Sequence, residues 1–377
     1  MESNKITECQ EQNLKVDKIP EHYLKLDDDA LREKIKVAKK TLGNKLYIMA
    51  HHYQKDEVVE FADVTGDSLY LSMEAAKNKS VEHIIFCGVH FMAETADILS
   101  ESWQNVYLPD ENAGCSMADM ANRLDLEIAW AELTGKFGSS NIIPLTYVNS
   151  TAQIKAFVGE NGGACITSTN AETIVKWALG QNKKILFLPD QHLGRNTAYN
   201  LGVELEQMAV WNHKNGKLIL PSTDVEPLII LWDGYCAVHQ QFTMKNIEKM
   251  RLEHPDVQII VHPECNFEVV QNADFAGSTN KIIETVQNAP NGSKFAIGTD
   301  NNLVGRLQQK YKDEKEIYFL NFYSCSCATM NRIRLPHLAW NLDNILNGNY
   351  QQKIEVDKQT ATSALKSLEK MFKIMQN

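Results

Sequence analysis

The feature of this 377-residue sequence that most constrains its fold is a weak threefold repeat. Short apolar runs that end in polar residues occur in three sets of four, and the sets open on LYIMAHHYQ, IIPLTYVNS and QIIVHPEC. Segments with apolar residues at helical spacing, such as SMEAAKNK and NKIIETVQNA, separate the runs. Strands that alternate with helices predict parallel sheets covered on both faces. We therefore expect an α/β protein made of three small, similar domains.

The repeat also aligns particular polar residues. The first run of each set ends at a His or Tyr, a serine follows the second run 17, 21 and 16 residues later, and a cysteine closes the fourth run after 64, 89 and 65 residues. In set order these residues are His51, Tyr147 and His262; Ser68, Ser168 and Ser278; and Cys115, Cys236 and Cys327. The second set therefore carries an insertion before its cysteine. Ligands of open parallel sheets collect beyond the carboxyl ends of the strands, so we expect one central pocket.

Four parts of the chain are predicted from this organisation. Residues 1–138 contain N-terminal helices and the first α/β repeat, and residues 139–250 contain the second repeat. Residues 251–340 form the third repeat, and residues 341–377 form a C-terminal helix that packs on the body. The charged helical segments at the two ends carry no predicted chemistry.

Charge and hydropathy exclude several classes of partner. With 38 Lys and Arg against 48 Asp and Glu, the net charge of −10 lacks the basic field that attracts nucleic acids or anionic membranes. The longest apolar run, Leu228 to Trp232, is too short to span a bilayer. The polar start MESNKITECQEQN lacks an apolar signal region, so we expect a cytoplasmic protein that binds neither nucleic acid nor membrane.

The eight cysteines contain no C-x-x-C pair, and a disulfide framework is not expected in the cytoplasm. Most free cysteines are small buried hydrophobic residues. The three aligned cysteines have a second interpretation, because three thiolates from distant segments leave one position of an iron–sulfur or zinc site open to substrate. An open metal position can act as a Lewis acid. The spacing alone leaves both interpretations open.

The strand ends also carry groups suited to proton transfer and to anion binding. His and Glu are the usual general acids and bases, although a strand-end His can equally cap a helix. Hydroxyls that lead into a helix suit carboxylates or phosphates, although they also serve as ordinary helix caps. The groups at the first-run ends are His51, Tyr53, Tyr147, Asn149, His262 and Glu264. In DQHLGR, His192 and Arg195 are either a further anion contact or surface residues.

Several motifs together resemble the quinolinate synthase, or quinolinate synthetase A, family. They run in order from about Leu46 to Leu335: AHHYQ, GDSLYLS, GVHFMAETADIL, LPDENAGCSMAD, TYVNS, TSTNA, FLPDQHLG, WDGYCAVH, HPEC, DFAGST and SCSCATMNRI. The resemblance implies three α/β/α domains related by pseudo-threefold symmetry around a central active site. It also implies a 4Fe–4S cluster held by Cys115, Cys236 and Cys327. The family pattern of a cysteine followed three residues later by methionine selects Cys327, before Met330, over Cys325.

The reaction implied by the resemblance is a transferase condensation in NAD biosynthesis. Iminoaspartate and dihydroxyacetone phosphate would give quinolinate, phosphate and two waters, with the open iron as Lewis acid. Tyr53, His262 and Glu264 would handle proton transfers. The residues implied to bind carboxylates and phosphate are His51, Ser68, Tyr147, Asn149, Ser168, Ser278 and Thr279. Transient contact with the enzyme that supplies iminoaspartate is also expected.

Two alternatives remain beside this hypothesis. One is a non-catalytic iron–sulfur or zinc sensor, for which a basic or interaction-prone surface segment is expected and not found in this acidic sequence. The other is an iron–sulfur hydro-lyase that acts on a simple hydroxy acid. His52 adjoins the predicted site and is assigned no role, and Cys87, Cys165 and Cys265 are expected to be buried hydrophobic residues.

Overall fold

The computed structural model describes residues 19–222, 224–321, 323 and 326–376. Cys9 and Cys325 lie outside the described residues. The strands are β1 (Leu46–His51), β2 (Val64–Gly66), β3 (His83–Cys87), β4 (Asn105–Tyr107), β5 (Ile142–Tyr147), β6 (Ala164–Ile166), β7 (Lys184–Leu188), β8 (Met208–Asn212), β9 (Lys217–Ile219), β10 (Ile229–Trp232), β11 (Gln258–Val261), β12 (Phe275–Ala276), β13 (Lys294–Gly298), β14 (Glu316–Phe319) and β15 (Lys353–Ile354). The helices are α1 (Glu21–Leu24), α2 (Asp28–Leu42), α3 (Asp56–Val59), α4 (Ser68–Lys77), α5 (His90–Leu99), α6 (Ser116–Asp119), α7 (Arg123–Phe137), α8 (Ala152–Glu160), α9 (Ala171–Leu179), α10 (Gln191–Asn200), α11 (Met244–Glu253), α12 (Phe267–Asn272), α13 (Thr279–Asn288), α14 (Asn301–Lys310), α15 (Leu335–Leu346) and α16 (Lys358–Met375).

Three sheets share one strand order. The first contains β2-β1-β3-β4, the second β6-β5-β7-β10 and the third β12-β11-β13-β14. Neighbouring strands in each of these series pair in parallel. In every sheet the first strand of the set lies between the second and the third, with the fourth beyond the third. The predicted fold class of small parallel sheets flanked by helices is thereby confirmed.

Two additions extend this common plan. In the second sheet, β8 pairs in parallel with β10 and β9 pairs antiparallel with β8, which accounts for the long spacing before Cys236. In the first sheet, β15 pairs antiparallel with β4. The part beyond residue 340, predicted as a helix only, thus also supplies an edge strand. The predicted division into four parts stays a prediction, and α11 and α15 cross two of its boundaries.

Burial explains why these runs form strands. All five residues of β3 are buried, and so are all six of β5, as expected for central strands covered by helices on both faces.

Side chains at the helix starts accept hydrogen bonds from backbone N–H groups. Asp67 accepts from Tyr70 at 2.9 Å, and Asp190 accepts from Leu193 at 2.7 Å. Among the described residues, no helix combines the length and apolar character needed to cross a bilayer.

Candidate active site

The carboxyl ends of the central strands of all three sheets border one pocket. Each sheet or its following loops supplies four of the predicted site residues to the lining. They are His51, Tyr53, Ser68 and Cys115 from the first; Tyr147, Asn149, Ser168 and Cys236 from the second; and His262, Glu264, Thr279 and Cys327 from the third. Residues up to 276 positions apart in the sequence thus meet in one place. Their individual roles stay predictions.

Ser278 is the one predicted site residue outside this lining. Strand register shows why. His51 pairs with Gly66, two residues before Ser68, and Tyr147 pairs with Ile166, two residues before Ser168. Val261 pairs with Ala276, so the position equivalent to the two serines in the third sheet is Thr279. Ser278 instead caps α13, where its side chain accepts the N–H of Lys281 at 3.4 Å.

The three aligned cysteines all face the pocket, each beside a turn whose backbone N–H groups point at its sulfur. These donors are Ala118 and Met117 at Cys115, His239 at Cys236, and Met330 and Thr329 at Cys327. Burial raises the pKa of Cys115 to about 12 and raises the pKa values of Cys236 and Cys327 as well. Half-buried thiols that already receive backbone N–H groups suit thiolate ligands that ionise when a metal arrives.

The other described cysteines differ from these three. Cys87, Cys165 and Cys265 are fully buried within hydrophobic clusters, as predicted. Burial raises the pKa of Cys165 to about 11. Inert core residues of this kind explain why a count of cysteines alone cannot identify ligands.

Glu264 lies at the centre of a buried polar cluster. His239 Nδ1 is 2.9 Å from Glu264 Oε2, and His262 Nδ1 is 3.7 Å from Oε1. Tyr147 also hydrogen-bonds to this carboxylate. Burial by itself raises the pKa of Glu264, but His262 and His239 beside it, with hydrogen bonds from His239 and Tyr147, hold the pKa below its usual value. Glu264 is therefore ionised at neutral pH.

Four side chains around Glu264 are held in their neutral forms: His51, His262, Tyr53 and Tyr147. Burial lowers the pKa values of His51 and His262 to about 3. Burial, followed by the nearby Glu264 charge, raises the pKa values of Tyr53 and Tyr147 well above the usual range. The pocket thus combines the Glu264 carboxylate with the neutral imidazoles of His51 and His262, which can accept protons, and with the phenols of Tyr53 and Tyr147, which can donate them.

Direct side-chain contacts join the sheets around the pocket. Thr169 donates to Asp67 Oδ2 at 3.1 Å, linking the second sheet to the first. Asn196 donates to the carbonyl oxygen of Pro263 at 2.9 Å, linking the second to the third. Asn302 donates to the carbonyl oxygen of Tyr53 at 2.8 Å, linking the third to the first. The site therefore depends on how all three sheets pack.

Sequence reasoning missed His239 and Thr299. His239 Nε2 is 3.2 Å from Thr299 Oγ1, which in turn lies 2.8 Å from the Tyr53 hydroxyl. His239 follows Cys236 by three residues and Thr299 directly follows β13. Proximity to a predicted ligand and to a strand end could therefore have indicated these two residues.

His192 and Arg195 line a separate cavity with Phe267 and Glu268. His52 lies 3.2 Å from Asn280 Oδ1.

Comparison with known proteins matches almost the whole chain. The family model described as "Quinolinate synthetase A protein" matches residues 33–373. A quinolinate synthase of Anoxybacillus flavithermus is 57% identical over 94% of this chain and 96% of its own. The quinolinate synthase of Staphylococcus carnosus is 56% identical over 94% and 97%, and that of Geobacillus thermodenitrificans 54% identical over 96% and 98%.

Proposed function

Because this chain belongs to the quinolinate synthetase A family, we propose that it catalyses quinolinate synthesis for NAD production. The substrates would be iminoaspartate and dihydroxyacetone phosphate, and the products quinolinate, phosphate and two waters. The observation that carries the proposal is the pocket to which each sheet contributes four of the side chains that the motifs single out. We place the activity in the cytoplasm, with transient contact to the enzyme that supplies iminoaspartate.

The thiols of Cys115, Cys236 and Cys327 would hold a 4Fe–4S cluster. Their fit to such a group rests on their shared pocket and on the N–H groups aimed at each sulfur. With three protein ligands, a bound cluster keeps one iron open, and that iron supplies a Lewis acid to the pocket.

Substrate anions would be held by hydroxyls, amides and helix ends. Ser68 and Thr279 are the first residues of α4 and α13, where the helix N-termini favour negative charge. His51, Tyr147, Asn149 and Ser168 add side-chain hydrogen-bonding groups at the other strand ends. Ser278 would act through its cap on α13. Local donors of this kind are needed because the net charge of −10 repels anionic substrates at long range.

Proton transfers would centre on Glu264, Tyr53 and His262. The ionised Glu264 carboxylate would accept a proton from a substrate carbon or nitrogen. The Tyr53 hydroxyl, which lies 3.1 Å from Thr279 Oγ1, would donate a proton to a leaving oxygen. His262 lies beside Glu264 and would pass protons between the carboxylate and substrate. Glu264 and His262 are buried and Tyr53 is half-buried, which limits the access of bulk water to these groups.

Activity is tested with anaerobically purified protein whose iron and acid-labile sulfide contents show a full cluster. Incubation with dihydroxyacetone phosphate and freshly generated iminoaspartate should give quinolinate, measured by chromatography and mass spectrometry. Cluster-free protein and reactions without dihydroxyacetone phosphate are the controls. A fully loaded protein that forms no quinolinate would refute the proposal and favour the sensor or hydro-lyase alternative.

A further inference from the structure

A second possible set of metal ligands overlaps the pocket without using all three cysteines. The Cys236 sulfur, a ring nitrogen of His239 and a carboxylate oxygen of Glu264 all lie within 4.8 Å of one another. His239 and Glu264 are buried, and Cys236 is half-buried. We propose that, when the protein lacks its iron–sulfur cluster, these three side chains bind one Zn²⁺ ion.

The donor types fit zinc. A thiolate, an imidazole and a carboxylate are all common zinc ligands, and three protein ligands with a water in the fourth position form a typical open site. His239 Nδ1 and Glu264 Oε2 are 2.9 Å apart. Two ligand atoms at about 2.1 Å from one tetrahedral ion are about 3.4 Å apart, so this pair needs only a small adjustment. On binding, Cys236 releases its thiol proton to the buffer.

The surroundings already orient these ligands. His239 Nδ1 donates to the Glu264 carboxylate, and its Nε2 lies 3.2 Å from the Thr299 hydroxyl. With zinc on Nδ1, the ring proton moves to Nε2 and is donated to the same hydroxyl, which can serve as donor or acceptor. Tyr147 continues to hold Glu264, and the backbone N–H of His239 points at the Cys236 sulfur. This is the supporting arrangement that zinc ligands usually have.

The three aligned cysteines fit a single ion less well. Within the described part of the chain, the set whose ligand atoms all lie within 4.8 Å is Cys236, His239 and Glu264, and the three cysteine sulfurs do not form such a set. Zinc–sulfur bonds of about 2.3 Å place sulfurs about 3.8 Å apart around one tetrahedral ion. Because Cys236 belongs to both sets, a zinc ion and a cluster would exclude each other, a consequence that rests on the proposed function.

The first experiment examines zinc in the full-length, cluster-free chain. The protein is freed of iron by anaerobic chelation, loaded with one equivalent of Zn²⁺, and studied by zinc K-edge X-ray absorption. We expect one sulfur and two or more nitrogen or oxygen neighbours. A spectrum with three sulfurs, or protein that retains no zinc against a chelator, would overturn the proposal. Neither result depends on whether quinolinate forms.

Single variants then identify the ligands. His239→Gln and Glu264→Gln should each weaken zinc binding at least about tenfold in chelator competition. Cys115→Ser and Cys327→Ser are the matched controls and should bind zinc as the parent chain does. Weaker binding in the two serine variants with unchanged binding in His239→Gln would overturn the assignment. Circular dichroism checks that each variant folds. If a variant does not fold, the zinc X-ray absorption spectrum of the unsubstituted chain tests the proposal.

Discussion

The imidazole rings of His239 and His262 stack, with 4.5 Å between their centroids and 18° between their planes. Each ring faces a different oxygen of Glu264, His239 at 2.9 Å and His262 at 3.7 Å. Only His262 was expected at the site from the sequence. Of the two rings, His239 lies within hydrogen-bond distance of the carboxylate, so we expect His239 to act as a positioning residue for Glu264.

Two amide substitutions separate the hydrogen bonds of His239. The Asn amide can place an N–H near the position of Nδ1, whereas the Gln amide reaches the position of Nε2. His239→Asn should keep the bond to Glu264 and retain turnover within about tenfold of the parent. His239→Gln keeps only the contact with Thr299 and should lower kcat about a hundredfold, the usual scale for proton transfer.

Steady-state kinetics on cluster-loaded protein measures both variants, with kcat and KM determined separately. A merely structural role would affect the two amides alike and would not distinguish Glu264 from Thr299. Equal losses in both variants would therefore contradict the positioning role. Iron content must match between the proteins, because His239 lies three residues from Cys236.

The cysteines provide the second prediction. Cys327→Ser should abolish the cluster, because Cys327 lies in the pocket with Cys115 and Cys236. Cys325→Ser should keep it, following the motif in which methionine lies three residues after the ligand. Iron and sulfide analysis, with electron paramagnetic resonance of the reduced protein, measures the outcome. The reverse result would move the third ligand to Cys325.

The local sequence predicted strand ends well and contacts between sheets poorly. Tyr53 lies two residues beyond His51, the last residue of β1, and Glu264 lies two residues beyond His262, which directly follows β11, so the repeat located them. Residue counting selected Ser278 as the position equivalent to Ser68 and Ser168. Counting cannot show the register in which β12 pairs with β11, and that register makes Thr279 the equivalent position. The contact between His239 and Glu264 depends on packing between the second and third sheets, which no spacing records.

The C-terminal segment shows the same limit. Its charged, helical character predicted a C-terminal helix, which is present as α16. The two residues of β15 are too few for alternation to indicate a strand, and their pairing with β4 depends on the chain returning to the first sheet. Short edge elements of this kind are determined by tertiary contacts.

Packing of α16 gives the third prediction. A Cβ on Gly159 in α8 would clash with the carbonyl oxygen of Ser363 in α16. Gly159→Ala should therefore destabilise the fold by about 1 to 3 kcal/mol. Gly135→Ala is the matched control, since Gly135 is exposed on α7 with no atom within 4 Å of an added Cβ. The control should be neutral or stabilising by up to about 1 kcal/mol.

Thermal unfolding and hydrogen exchange measure these two variants. Gly159→Ala should lower the melting temperature and increase amide exchange in α16 more than in α2, which packs at the first sheet. A melting temperature equal to that of Gly135→Ala would show that α8 and α16 can separate without cost.

The last prediction concerns pH. Burial, followed by the charge of Arg195, lowers the pKa of His192 to about 4. In the unfolded chain this imidazole takes up a proton below about pH 6.5. Between pH 6.5 and 4 the unfolded state thus binds more protons than the folded state, so the free energy of unfolding decreases as the pH falls.

His192→Gln should remove this loss of stability, which amounts to about 1 to 2 kcal/mol between pH 7 and 5. We expect the melting temperature of the parent chain to fall further than that of His192→Gln over this interval, whereas His22→Gln, at an exposed position on α1, should follow the parent. Parallel curves for the parent and His192→Gln would show that His192 does not contribute to acid sensitivity.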